Sequence, residues 1–253
     1  MANLIVDIGN TFTKILVFSG NQIVFSDRKE TFSISELEST VEKFRINQVI
    51  ISSVRSDADF GGLRHISNAV VIQFNNNTPV PISNLYETPE TLGVDRLAGV
   101  IGAKEIFPDK AVLAIDFGSC ITFDFIDEKG VYYGGSISPG LKMRFKAMHH
   151  FTGKLPEVDD AKSTKDFSAT FGKNTKESLQ AGVVNGILFE IEGYIKKYNE
   201  ISGDLKVILC GGDSSFFDSR LKNSIFAHQI LVEPNLVPIG LNTVVKYQYD
   251  QTN

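Results

Sequence analysis

The chain has only two cysteines, Cys120 and Cys210. Two cysteines cannot build a disulfide framework, and their spacing is not that of a metal-ligand pair, so the composition suits a reducing cytosol. No run of about 18 apolar residues occurs, which removes a spanning helix from consideration. The apolar start, Met1 to Val6, has no basic residues before it and is broken at once by Asp7, Asn10 and Lys14. It therefore does not read as a secretory leader. An excess of base is missing too: 25 Lys and Arg stand against 30 Asp and Glu, a formal charge of −5. A protein built to hold polyanionic nucleic acid carries the opposite imbalance. The expectation is a cytoplasmic globular protein with no nucleic-acid partner and no membrane.

What is present is a repeat. At 253 residues and 42% apolar content, the chain can bury one large core or two of about 100–150 residues each. The stretch Leu4 to Phe18 reads as an apolar strand, a polar turn and a second apolar strand, and Leu113 to Asp127 repeats that plan. One offset carries Asp7 onto Asp116, Gly9 onto Gly118 and Thr13 onto Thr122. Each copy then meets a turn signal, Ser19-Gly20-Asn21 or Asp127 to Gly130, and another short β-prone stretch. A period this long means two similar domains, not a solenoid.

Between the copies, strands and helices alternate. Ile34 to Phe44 has helical spacing, with Ser33 or Ser35 as N-cap; Gln48 to Val54 and Val70 to Phe74 read as strands. A helix is expected from Thr91 or Gly93 until Pro108 stops it. The second half predicts a helix near Leu141 to Phe151, a polar loop from Pro156 to Asp166, a long helix from Thr175 to Tyr198, a strand at Lys206 to Cys210, and a last helix after Pro238. The pattern is α/β, with domains at 1–106 and 107–253 and a hinge near 106–111.

Three segments carry chemistry. In Asp7-Ile8-Gly9-Asn10-Thr11, an acidic residue ends a buried strand, which is costly without compensation. Gly9 permits a tight turn whose amides can meet an anion, while the carboxylate suits the accompanying magnesium. An ordinary hairpin turn uses the same residues. The second copy at Asp116 favours the phosphate reading, because a nucleotide tail held between two hairpins needs both. Val207 to Asp213 is an apolar strand ending in Gly211 and Gly212, where bare backbone can receive a flat adenine; a plain strand-to-helix turn fits as well. Asp95, beside Arg96 at a predicted helix start, is either a compensated, reactive carboxylate or a simple cap with a surface partner.

The order of these segments resembles the acetate kinase, hexokinase, heat-shock chaperone and actin superfamily, and more narrowly the type III pantothenate kinases. The resemblance covers nearly the whole length. It rests on Asp7 to Lys14, Gly93-Val94-Asp95-Arg96-Leu97-Ala98-Gly99, Asp116 to Asp124, Gly134 to Leu141, Asn174-Thr175 with Gln180-Ala181-Gly182, and Glu233 to Leu236 through Gly240-Leu241. It implies two tandem actin-like (ribonuclease H-like) domains with mixed sheets flanked by helices, and the nucleotide in the cleft between them. By the same resemblance Asp7, Ile8, Gly9, Asn10, Thr11, Phe12, Thr13 and Lys14 hold the ATP phosphates, joined by Ser119. Asp95 is the general base toward the pantothenate hydroxyl, and Tyr86, Gly93, Val94, Arg96 and Thr175 line the pantothenate pocket. Asp116 binds potassium or ammonium. The family is homodimeric and completes its substrate pocket across the dimer interface.

Two features depart from the family pattern. Ser119-Cys120 stands where many relatives have Thr-Ala; serine keeps the hydroxyl, and Cys120 reads as a small buried hydrophobe. Lys142 to Lys146 is unusually basic, and the sequence leaves open whether it meets solvent or an anion. His149 and His150, adjacent on a predicted helix, point different ways and do not form a metal pair; His65 and His228 are isolated. Other readings are a sugar or small-alcohol kinase of the same superfamily, a transcriptional accessory factor, and a filament-forming or chaperone-like ATPase. Gly93-Val94-Asp95-Arg96 opposes the first, the missing helix-turn-helix signature the second, and the short chain the third.

Overall fold

A computed structural model describes residues 2–55, 69–159 and 170–252. The chain divides into two units: Met1–Asp109 with Gly130–Tyr133 and Asn235–Asn253, and Lys110–Lys129 with Gly134–Pro234.

In the first unit, β1 (Ala2–Ile8), β2 (Thr13–Ser19), β3 (Gln22–Lys29), β4 (Gln48–Ser53) and β5 (Val70–Gln73) form one sheet in the order β3-β2-β1-β4-β5. β1 runs antiparallel to β2 and parallel to β4. β1 and β4 are continuous apolar runs because both their faces are covered. Helix α1 (Ile34–Phe44) brings Leu37 and Val41 onto Leu4, Val6, Ile15, Val17, Val49 and Ile51. The opposite face meets α2 (Val94–Ile106) and α6 (Leu236–Thr252), which pack on each other and on β1 and β4. Of the two expected N-caps, Ser33 and Ser35, it is Ser33 that opens α1, with a capping box to Glu36. The Lys29 ammonium, then Ser33, holds the exposed Glu36 carboxyl down to about 2. This support is complete above the ordinary carboxylate range and is lost only as pH falls toward that value.

The second unit repeats the plan. β7 (Val112–Phe117), β8 (Cys120–Ile126), β9 (Val131–Pro139), β10 (Lys206–Gly211) and β11 (Ile230–Val232) lie in the order β11-β10-β7-β8-β9. β7 is antiparallel to β8 and parallel to β10, as β1 is to β2 and β4. Helix α4 (Thr175–Asn199) buries Val183, Ile187, Ile191 and Ile195 in this core, and Phe123 stacks on its Tyr194 with ring centroids 4.1 Å apart. Helices α3 (Leu141–His150) and α5 (Ser214–Leu221) add Phe145 and Phe217. At the start of β9, Val131 and Tyr132 belong to the first unit and pair there with β6 (Ser83–Asn84).

Most sequence expectations hold to within a residue or two. The chain leaves the first unit at Asp109, inside the stretch 106–111, but the expected division at 106/107 does not describe the rest: Asn235–Asn253 returns to the first unit. The cause is close backbone packing of two helices. A Cβ on Gly240 of α6 would lie 1.8 Å from the Ala98 carbonyl of α2, and one on Gly102 would lie 2.2 Å from that of Leu236. The last helix also starts at Leu236, before Pro238; a proline is tolerated in a first turn, where its missing N–H has no intrahelical partner. The short elements β6 and β11 were not anticipated, whereas α5 follows Asp213 as the strand-to-helix reading of that turn allowed. His65 and positions 160–166 of the polar loop lie outside the described residues.

Gly240→Ala should lower the stability of the first unit by about 1–3 kcal/mol, the range for overpacking. Denaturant unfolding checks this; a midpoint equal to wild type would contradict the contact.

Candidate active site

The β1–β2 hairpin ends the central strand of its sheet in a four-residue connection. Gly9 N–H donates to the Phe12 carbonyl at 3.0 Å, and Asn10, Thr11 and Phe12 are exposed at the tip. Asp7 sits in register between Lys14 of β2 and Ser52 of β4. The Ser52 hydroxyl is buried and has no hydrogen-bond partner among the described residues, although buried hydroxyls are normally satisfied. Two arginines brace the tip. The Arg28 guanidinium lies 4.0 Å from the centre of the Phe12 ring. Arg55 donates from Nε to the Gly9 carbonyl at 2.8 Å and from Nη2 to the Asn10 carbonyl at 3.2 Å. Sequence reasoning missed Arg55. The signal was its place just after the strand that pairs parallel with β1, where a long side chain reaches the neighbouring turn.

In the same unit, a short 3₁₀ turn (Pro89–Thr91) leads to Gly93, the N-cap of α2. Val94 and Asp95 begin the helix, and the Asp95 Oδ1 accepts the Arg96 N–H at 2.9 Å. An aspartate in a first turn satisfies an orphan amide and meets the positive end of the helix dipole. Arg96 is not the surface partner that a simple cap would have: it is only 8% exposed. Its guanidinium lies 5.5 Å from the centre of the Tyr86 ring, and Tyr86 stacks on Tyr132 with ring centroids 6.4 Å apart. Asn84 fixes this segment by accepting the Tyr86 N–H at 2.9 Å. Tyr86, Gly93, Val94, Asp95 and Arg96 thus gather at the start of one helix. Thr175 opens α4 in the second unit, behind the N-cap Asn174.

The β7–β8 hairpin is tighter, its Gly118 N–H donating to the Cys120 carbonyl at 3.0 Å. Asp116 is half-buried and lies in register between Thr122 and Cys210. Two glycines close on this turn. Gly140 N–H donates to the Ser119 carbonyl at 3.1 Å, and a Cβ there would sit 2.5 Å from the Gly118 carbonyl. Gly211 has a φ of +86°, and its Cβ would fall 2.3 Å from Asp116 Oδ1. Packing against Asp116 therefore demands glycine at 211 whatever ligand binds. Gly212 differs: the nearest atom to a Cβ there is the Phe117 carbonyl at 4.0 Å. The second hairpin, the Ser-Pro-Gly-Leu segment and the glycine-rich turn are thus one assembly inside the second unit.

Cys120 is half-buried, not fully buried as its reading as a core hydrophobe implied, whereas Cys210 is buried. In the basic run, Arg144 is engaged within the protein, donating to the Pro139 carbonyl, the Ser138 hydroxyl and the Glu190 carboxylate. Lys142 and Lys146 are exposed. The His149 ring meets the Leu155 carbonyl and that of His150 the edge of Phe151, so the two diverge. His228 lies in a short 3₁₀ turn (Ala227–Gln229).

A family model described as type III pantothenate kinase matches residues 3–197. A type III pantothenate kinase of Phocaeicola vulgatus is 41% identical over 97% of this chain and 98% of its own length. One from Cytophaga hutchinsonii is 43% identical over 97% of this chain and 99% of its own. Among solved structures, an activator of 2-hydroxyisocaproyl-CoA dehydratase from Clostridium difficile, with bound ADPNP, aligns with a TM-score of 0.60. It covers 100% of this chain and 97% of its own at 16% identity, which shows the shared actin-like fold.

Gly211→Ala should destabilise the second unit and abolish most activity, through positive-φ strain and the clash with Asp116. Gly212→Ala should melt like wild type. Thermal unfolding of the pair checks this, and equal melting of both variants would contradict the assigned packing.

Proposed function

The chain belongs to the type III pantothenate kinase family, and from that premise we propose that it transfers the terminal phosphoryl group of ATP to the primary hydroxyl of pantothenate, the opening step of coenzyme A biosynthesis. The observation that carries the reading onto this molecule is the cluster at the start of α2. There a first-turn carboxylate stands beside a buried arginine stacked on Tyr86.

In this reading Asp95 orients the pantothenate hydroxyl and takes its proton as the oxygen attacks the γ-phosphorus. The bond from that phosphorus to the bridging β-oxygen breaks, and ADP leaves. Arg96 and Tyr86, with Gly93 and Val94, line the acceptor pocket, and Thr175 contributes from α4. Residues 7–14 hold the phosphates of ATP with Ser119 of the second hairpin, and Gly211 and Gly212 form the adenosine loop.

Bound magnesium supplies charge neutralisation on the phosphate oxygens. Among the described residues no three His, Cys, Asp or Glu side chains gather as a metal cage. A divalent ion that takes one carboxylate and completes its shell with phosphate oxygens and waters fits that arrangement. Asp7 would supply the carboxylate, and the Ser52 hydroxyl in its row, without a hydrogen-bond partner among the described residues, would be available to a water of the ion's shell. Asp116 belongs to a potassium or ammonium site, in a turn dense with backbone carbonyls. The reading includes a cytoplasmic homodimer, for which Phe151, Phe171 and Phe189 offer exposed apolar surface on the second unit; light scattering at the mass of one chain would count against the dimer.

A coupled assay with ATP and pantothenate, varied in potassium, tests the proposal. Asp95→Asn should cut kcat by about 10²–10⁴-fold, the usual worth of a general base, and leave ATP binding intact. Wild-type turnover in this variant would reduce Asp95 to a helix cap. Asp116→Asn should flatten the potassium response, and an unchanged titration would remove it from the cation site. Phosphorylation of a hexose but not of pantothenate would overturn the assignment.

A further inference from the structure

We propose that Arg55 is a positioning residue for the triphosphate: it turns the carbonyls of the first hairpin away from the nucleotide and so aims the amides at it. The inference rests on the kinase reading above and extends it to a residue outside the segments that carry the family resemblance.

In a trans peptide the carbonyl oxygen of one residue and the amide hydrogen of the next point to opposite sides. Arg55 draws the Gly9 and Asn10 carbonyls to one side, at 2.8 and 3.2 Å. The amide hydrogens of Asn10 and Thr11 must then both point to the other. Two successive amides facing one way form an anion nest, whereas a carbonyl turned among them would repel phosphate. Both residues are exposed, so the nest is open to a ligand.

A guanidinium suits this task because its rigid fork addresses two acceptors at once. Strand register explains its location. β4 runs parallel to β1, with Ile8 beside Ser53, so the chain leaving β4 passes the turn that follows β1. The Val54 N–H donates to the Ile8 carbonyl at 3.1 Å, and the Ser53 hydroxyl accepts the Arg55 N–H at 3.0 Å, which fixes the backbone from which the side chain reaches. On the other flank Arg28 covers Phe12. The tip is thus held at both ends, and its amides are oriented before the nucleotide arrives.

Calorimetric binding of ATP and of adenosine to Arg55→Met and Arg55→Lys, with steady-state kinetics, tests the proposal. Charge-assisted hydrogen bonds of this kind predict a loss of ATP affinity of about ten-fold or more in both variants. Adenosine, which lacks phosphates, should bind as to wild type. The KM for ATP should rise while that for pantothenate holds. Lysine keeps the charge but not the fork, so wild-type ATP binding by Arg55→Lys would overturn the carbonyl clamp. A parallel loss of ATP and adenosine would also overturn it, as would a shift confined to the pantothenate KM. Should Arg55→Met fold poorly, Arg55→Lys decides the matter alone. Failure of the wild-type protein to bind ATP would overturn the kinase reading and this inference together, whereas the other adverse results strike the inference only.

Discussion

A strand covered on both faces has nowhere to put a charge except at its end. That constraint governs both sheets. β7, and β1 apart from Asn3, are apolar up to the aspartate with which each reaches the rim of its core before the chain reverses in a tight turn. Burying that carboxylate unpaired would be prohibitive, and moving it further out would release it to solvent. At the rim it is partly covered, surrounded by backbone polar groups, and set beside the turn amides that an anion would meet.

The rest of each unit positions that rim. The antiparallel partner sets the length of the turn, and the parallel partner delivers another segment to its flank. In the first unit the delivered segment carries Arg55, which holds the turn by its carbonyls. In the second it carries Gly211, whose missing side chain lets the backbone close on Asp116. One topology thus gives two different solutions, a long cation reaching inward and bare backbone pressed close. The cluster at the start of α2 is built otherwise. It depends on the first turn of α2, where a carboxylate and a buried arginine occupy successive positions beneath a tyrosine stack.

Much of this was legible in the sequence because it is local. The duplicated apolar–turn–apolar plan gives both hairpins, the helical spacing after Ser33 or Ser35 places α1, and a start at Thr91 or Gly93 brackets α2 to within three residues. Contacts between distant segments were not legible. Nothing near Gly240 announces that Ala98 requires its bareness, so the final helix was assigned to the wrong unit. Short elements such as β11 carry too few residues for a period, and Pro238 looks like a boundary when it is a first-turn residue. Arg55 escaped notice for a related reason: its role exists only once β4 has paired with β1. Glycines also mislead in one direction. A glycine-rich turn suggests a ligand, yet Gly211 answers first to its own protein neighbours, while Gly212 carries no such demand.

We propose that a single triphosphate meets both hairpin tips. The most direct test is a titration of isotope-labelled protein with a non-hydrolysable ATP analogue, following the backbone amide resonances of Asn10, Thr11 and Ser119. All three should move along a single saturation curve, and adenosine alone should leave them in place. Movement confined to one hairpin, separate curves for the two, or an equal response to adenosine would contradict the proposal.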